Sequence, residues 1–185
     1  MHTTNQVMNR KLKLNELNRL SIEGYKQAEK IPVIVILDNI RSLNNVGSIF
    51  RTADCFGIKA IYLCGITATP PHREITKTAI GATQSVDWKY YDTTKEAVSM
   101  LKKEQYIISS IEQTKNTQKL NRLVLSKGIK LALVFGNEVE GVEQQVIDES
   151  DFCLEIEQFG TKHSLNVSVC AGIILSEISK QMRQH

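Results

Sequence analysis

Five consecutive apolar residues, Val33 to Leu37, read VIVIL, and a second unbroken run, Leu131 to Phe135, reads LALVF. A strand with one solvated face alternates apolar and polar residues, whereas an unbroken run demands cover on both faces, as in a parallel sheet packed between helices. The segments between the runs fit that plan. AIYLC (60–64), VDWKYY (86–91), YIISSI (106–111) and FCLEI (152–156) are predicted strands, FCLEI being the last. Helices are predicted from Asn45, as the capping residue, to a left-handed Gly57, over 73–79 ending near Gly81, and from a Thr93/Glu96 capping box to about Glu104. A long one follows from Leu165 to about Met182, with Val169, Ile173 and Leu175 expected to face the sheet. A polar stretch carrying Lys115, Lys119, Arg122 and Lys127 separates YIISSI from LALVF. The expected class is α/β, with a mostly parallel sheet flanked by helices.

A chain of 185 residues suits one core, since cores divide only beyond roughly 250 residues. Its 42% apolar and 23% charged residues argue against disorder and against a membrane protein. The last helix is too short and polar to span a bilayer. No apolar stretch follows Arg10, Lys11 and Lys13 as in a secretory signal, so a cytoplasmic location is expected. Cys55, Cys64, Cys153 and Cys170 lie apart without histidines at ligand spacing, so no metal site is expected and the four are read as buried thiols. Residues 1–30 hold six Lys/Arg against three acids while the rest of the chain balances at 17 and 17, so the whole positive excess sits in that segment. It is read as a helical basic extension able to hold a polyanion, followed by the main domain over 31–185.

Ligands of such sheets bind beyond the carboxyl ends of the strands, so the loops there are where chemistry is sought. After VIVIL comes DNIRSLNNVGSIFRTADCFG (38–57), where Asn44, Asn45 and Arg51 crowd a loop and the helix it opens. Arg51 suits a phosphate through its planar fork, or alternatively pairs with Asp54 three residues on. After LALV comes FGNEVEG (135–141), whose glycines let backbone approach a ligand and whose Glu138 either faces that ligand or merely starts a helix. After FCLEI comes IEQFGTKHSLNVSV (156–169), with Ser164 as a candidate cap, Asn166 as a polar residue inside an apolar helix, and His163 as an incidental loop histidine. The chain contains neither the dinucleotide fingerprint G-x-G-x-x-G nor G-x-x-x-x-G-K-[ST].

In this order NNVGSIFRTADCFG, VFGNEVEGV and SLNVSV resemble the three motifs of the SpoU (TrmH) family of 2′-O-ribose RNA methyltransferases, within the SPOUT superfamily. The resemblance runs from about Val33 to Lys180. It implies a C-terminal deep trefoil knot, which periodicity does not reveal and which the general avoidance of knots opposes. It further implies S-adenosyl-L-methionine held by the backbone of Gly136, Ile156 and Leu165, with Asn45, Arg51, Glu138, Ser164 and Asn166 at catalytic positions. A homodimer meeting at the last helix, each site drawing on both subunits, is also implied.

The implied reaction methylates a ribose 2′-hydroxyl, which makes RNA the substrate and excludes DNA. Compact members of the family suggest tRNA ahead of rRNA, and residues 1–30 are expected to serve in place of an appended RNA-binding domain. The competing expectation is a catalytically inactive RNA-binding module of the same fold. An arginine is a poor general base because a guanidinium holds its proton tightly, so Arg51 is expected to act electrostatically.

Overall fold

The computed structural model describes residues 9–184. Seven strands form one sheet: β1 (Ile31–Asp38), β2 (Ile58–Cys64), β3 (Asp87–Tyr91), β4 (Ile107–Ile111), β5 (Gln118–Lys119), β6 (Leu131–Phe135) and β7 (Phe152–Glu155). Their order is β3-β2-β1-β6-β4-β7-β5, and every pairing is parallel. The fully apolar runs lie side by side in the interior, Leu37 opposite Phe135 and Phe135 opposite Ile111. VDWKYY, which alternates, forms an outer strand. The two-residue β5 falls in the polar stretch, too short to carry a periodic signal.

Among the described residues seven α-helices accompany the sheet: α1 (Ile22–Gln27), α2 (Leu43–Phe56), α3 (Arg73–Ala79), α4 (Ala82–Ser85), α5 (Thr94–Lys103), α6 (Gln144–Glu149) and α7 (Val167–Arg183). Residues of α2, α3 and α7 share one core with Val33, Val35 and Leu37 of β1. Those of α5 and α6 share the other with Ile34 and Ile36. At about 25 cal/mol per Å² of apolar surface removed from water, this covering of both faces is the main force holding the layers together. The expected left-handed end at Gly57 is present at φ 65°, and Thr93 accepts the N–H of Glu96 at 3.2 Å.

The last helix departs from expectation in its facing. It begins at Val167, so Val167, Ala171, Ile174, Leu175 and Ile178 form the buried stripe. Leu175 faces the core as expected, whereas Val169 and Ile173 remain 51% and 41% exposed. Between Lys11 and β1 the chain forms only a 3-10 turn at Leu14–Glu16 and the short α1, not a continuous helix. The first eight residues of the basic extension lie outside the described residues. Among the described residues no helix is long and apolar enough to cross a membrane, and no group of three His, Cys, Asp or Glu is placed to hold a metal.

Candidate functional site

The parallel register brings Asp38, Glu112, Gly136 and Ile156 to the same edge of the sheet, each just beyond a strand or at its end. Ser42, not Asn45, caps α2, its hydroxyl accepting the N–H of Asn45 at 3.3 Å. With the cap supplied one turn earlier, the Asn45 side chain is released to other partners. Its Nδ2 donates to Glu138 Oε1 at 2.6 Å, and its Oδ1 accepts from Asn166 Nδ2 at 3.2 Å. Asn166 in turn caps α7, accepting the N–H groups of Ser168 and Val169 at 2.9 and 3.3 Å. Capping therefore belongs to Asn166 and not to Ser164, because the helix starts after Asn166 and its first N–H groups point back at that residue. One chain of side-chain hydrogen bonds thus ties all three loops together.

The loop after β6 is folded tightly upon itself. Asn137 Oδ1 accepts the N–H groups of Val139 and Glu140, both at 2.9 Å, and Gly141 N–H returns to the Asn137 carbonyl at 3.0 Å. A Cβ on Gly136 would lie 2.0 Å from the carbonyl carbon of Gly141, so no larger residue fits there without moving the loop. Glu112 accepts the N–H of Val142 at 3.1 Å. Asp38, wholly buried, accepts from Thr94 Oγ1 at 2.5 Å, Asn39 Nδ2 at 2.9 Å and Glu143 N–H at 3.0 Å. A buried carboxylate is tolerated only when hydrogen-bonded in this way. Sequence reasoning missed Asp38, Glu112 and Asn137. The available signal was position: Asp38 and Glu112 are the acids that end or directly follow predicted buried strands.

These loops enclose a cavity of about 1400 Å³, with Gly136, Glu138, Ile156, Ser164 and Leu165 in its wall. Phe135, Leu154 and Cys170 give it apolar surface, while Glu112, Glu138, Glu140 and Glu143 give it acid character. Burial pushes the Cys170 thiol up to about 11, and the nearby Glu112 adds to the shift. His163 also lines the cavity, and its carbonyl accepts Gln113 Nε2 at 2.9 Å. Of the four cysteines, Cys55 is exposed and so departs from the expected buried thiols, because it lies on the outward face of α2.

Arg51 is not in the wall of that cavity. It lines a neighbouring groove of about 990 Å³ with Cys55, Phe159, Val169 and Ile173. Ile156 belongs to both hollows and separates them. The six positions from Asn45 to Arg51 amount to about 9 Å along a helix, which carries the arginine away from the strand ends. The pairing of Arg51 with Asp54 does not form: Asp54 instead accepts the hydroxyl of Ser85.

Residues 32–176 match the SpoU rRNA Methylase family. A protein of Staphylococcus haemolyticus (strain JCSC1435), named as a TrmH family tRNA/rRNA methyltransferase, is 28% identical over 163 residues. That match covers 88% of this chain but 64% of the relative, so the chain spans less than two thirds of its length. The crystal structure of the A. aeolicus TrmH/SpoU tRNA modifying enzyme is similar at a TM-score of 0.76 and 25% identity, over 88% of this chain and 81% of that one. The SpoU methyltransferase AviRb from Streptomyces viridochromogenes, solved in complex with the cofactor AdoMet, is similar in fold at a TM-score of 0.77 and 19% identity. It matches over 86% of this chain and 64% of its own. With the family match spanning the sheet, the tied loops and most of α7, the chain belongs to the SpoU rRNA methylase family.

Proposed function

We propose that the protein transfers a methyl group from S-adenosylmethionine to a ribose 2′-hydroxyl of RNA, with tRNA the favoured substrate. The observation that carries this reading is the Glu138–Asn45–Asn166 chain, which joins three separate loops at the rim of one cavity. The cavity suits the cofactor chemically. Its apolar wall of Phe135, Ile156, Leu165 and Cys170 accepts a flat heterocycle, and its carboxylates oppose a sulfonium and an ammonium charge. The backbone at Gly136, Ile156 and Leu165, in the wall of this cavity, would hold the adenosyl group.

When bound, the cofactor supplies a methyl group already activated by its sulfonium, so the task left to the protein is alignment and charge. The ribose oxygen must lose its proton to solvent as it bonds the methyl carbon and the bond to sulfur breaks. Arg51, outside the cavity of its own chain, would act at the site of the second copy that its groove is proposed to seat, lowering the cost of the developing negative charge on that oxygen and gripping the adjacent phosphate. Asn45 keeps one N–H and one lone pair beyond those spent on Glu138 and Asn166, enough to orient the sugar beside Ser164. Glu138 and Asn166 act through Asn45 by fixing its amide.

The groove that holds Arg51 is the proposed seat of a second copy of the chain, bringing the partner's surface to the arginine. Its support is the apolar side of that groove: Phe159, 93% exposed, beside Val169 and Ile173 on α7. The basic segment 1–30 is the proposed first contact with RNA, and the passage of the chain through a deep trefoil knot belongs to the same reading. The test is transfer of labelled methyl from S-adenosylmethionine to separated tRNA and rRNA from cells lacking the protein. Label is expected chiefly in tRNA, retained in part by Arg51→Lys and nearly abolished in Arg51→Ala. Deleting residues 1–30 is expected to weaken RNA binding and spare cofactor affinity. Cofactor binding with no label in any RNA fraction would favour an inactive RNA-binding module.

A further inference from the structure

The end of the sheet remote from the cavity carries a different chemistry. Lys59 stands at the second position of β2, and Lys130 directly precedes β6. Both ammonium groups lie 5.7 Å from the ring centre of Tyr106, which is buried just before β4. Lys59 also donates to the Tyr106 hydroxyl at 3.1 Å, and Lys130 to the Glu104 carbonyl at 3.2 Å. On β3, Lys89 lies 5.7 Å over the ring of Tyr62, itself packed against Tyr91 at 5.1 Å. Lys102 and Lys103 are exposed where α5 ends beside Tyr106.

None of these five lysines has a carboxylate within ion-pair distance among the described residues. Glu104, whose charge reaches Tyr62 and Tyr91, and the exposed Asp87 two residues before Lys89 are nearby acids, which the five lysines outnumber. An unrestrained lysine loses rotamer freedom when it is fixed on a phosphate. Here cation–π attraction to the aromatic rings already limits Lys59, Lys89 and Lys130, so less freedom remains to be lost. Clustered, unpaired and partly ordered ammonium groups beside aromatic rings suit a dense row of phosphates.

We infer that the Lys59–Lys89–Lys130 patch, on the α5 side of the sheet and running from its end away from the cavity at Lys59 and Lys130 up the outer strand β3 to Lys89, which is level with Ile36, is a second docking surface for the sugar-phosphate backbone of a folded RNA. This rests on the reading that the protein acts on RNA. Lys59 and Lys130 lie level with the start of β1, about 17 Å from the cavity over Val33 to Asp38 at roughly 3.3 Å per residue. Only a molecule that extends beyond the nucleotide being methylated reaches from the cavity to these two lysines. The surface therefore selects for RNA size and shape, with no reading of sequence.

The test is binding of total tRNA to the full-length protein between about 50 and 300 mM salt, with a short single-stranded oligonucleotide as the second probe. The triple variant Lys59→Gln, Lys89→Gln, Lys130→Gln is expected to bind tRNA about tenfold more weakly, with a salt slope shallower by about 2. Its affinity for the oligonucleotide and for S-adenosylmethionine should stay at the wild-type value, and the corresponding triple arginine variant should bind tRNA normally. If the glutamine triple does not fold, Lys89→Gln alone is expected to flatten the slope by about 0.7 to 0.9. A wild-type slope and affinity in the glutamine variants overturns the second surface while leaving the proposed activity intact. Absence of any RNA binding by the wild-type protein overturns both.

Discussion

Asn45 concentrates much of the site in a single amide: one N–H goes to Glu138 and one lone pair to Asn166, so each loop depends on the other two. Gly136 sets the complementary constraint, since the approach of Gly141 leaves no room for a side chain. Gly136→Ala is expected to lower stability by about 1–3 kcal/mol, the range for forced overpacking. It should also weaken S-adenosylmethionine binding measured by calorimetry, and unchanged cofactor affinity would contradict the assignment of that loop. At this scale the sequence was informative about which residues share a wall. Gly136 and Ile156 follow strand ends directly, and parallel pairing brings such positions together, whereas Glu138, Ser164 and Leu165 lie farther along their loops and were grouped through the family resemblance. It was less informative about hydrogen-bond roles, because Ser42, Asn45, Ser164 and Asn166 are all competent caps and only the starting residue of each helix decides among them. Arg51 sits in a different hollow from Glu138, and residue spacing alone could not foresee that.

At the scale of elements, β1 is the strand on which the others are assembled, and Asp38 at its end joins it to the start of α5 through Thr94 and to the start of α6 through Glu143. Asp38→Ala strands both donors in a buried setting. The expected loss is about 3 kcal/mol, roughly a 10 °C fall in melting temperature for a chain of this size. A scanning calorimetry shift of a degree or less would mean that water replaces the carboxylate without cost. The interior strands were legible because an apolar run buried on both faces has few other uses. The four-residue α4 and two-residue β5 were not legible, being shorter than any period they could display. The α7 stripe was misassigned at Val169 and Ile173 because an apolar helix with two apolar sides does not say which one meets the sheet. Its unpacked side is the one that lines the Arg51 groove.

Across the whole molecule the two ends of the sheet differ in charge, with carboxylates around the cavity and, at the opposite end, Lys59 and Lys130, which have no ion-pair partner among the described residues. A pocket proposed to hold a cation and a surface proposed to hold a polyanion are electrostatically compatible when they lie more than a Debye length apart. The proposed dimer adds a requirement, since covering the groove must also cover Cys55. Maleimide labelling of Cys55 is therefore expected to slow as protein concentration rises through the dimerisation range, and a rate independent of concentration would count against that interface. No feature of hydrophobic period announces a knot or a dimer, which is why both enter through the family resemblance and not through the pattern of strands. The measurement that bears most directly on the central claim is alkaline hydrolysis of RNA methylated by the protein with labelled S-adenosylmethionine. A methyl on the 2′-oxygen removes the internal nucleophile that alkali uses to cleave the adjacent phosphodiester, so the account predicts label in alkali-resistant dinucleotides, greatly reduced with Arg51→Ala. Label recovered in mononucleotides would mean that a base is methylated, and would contradict it.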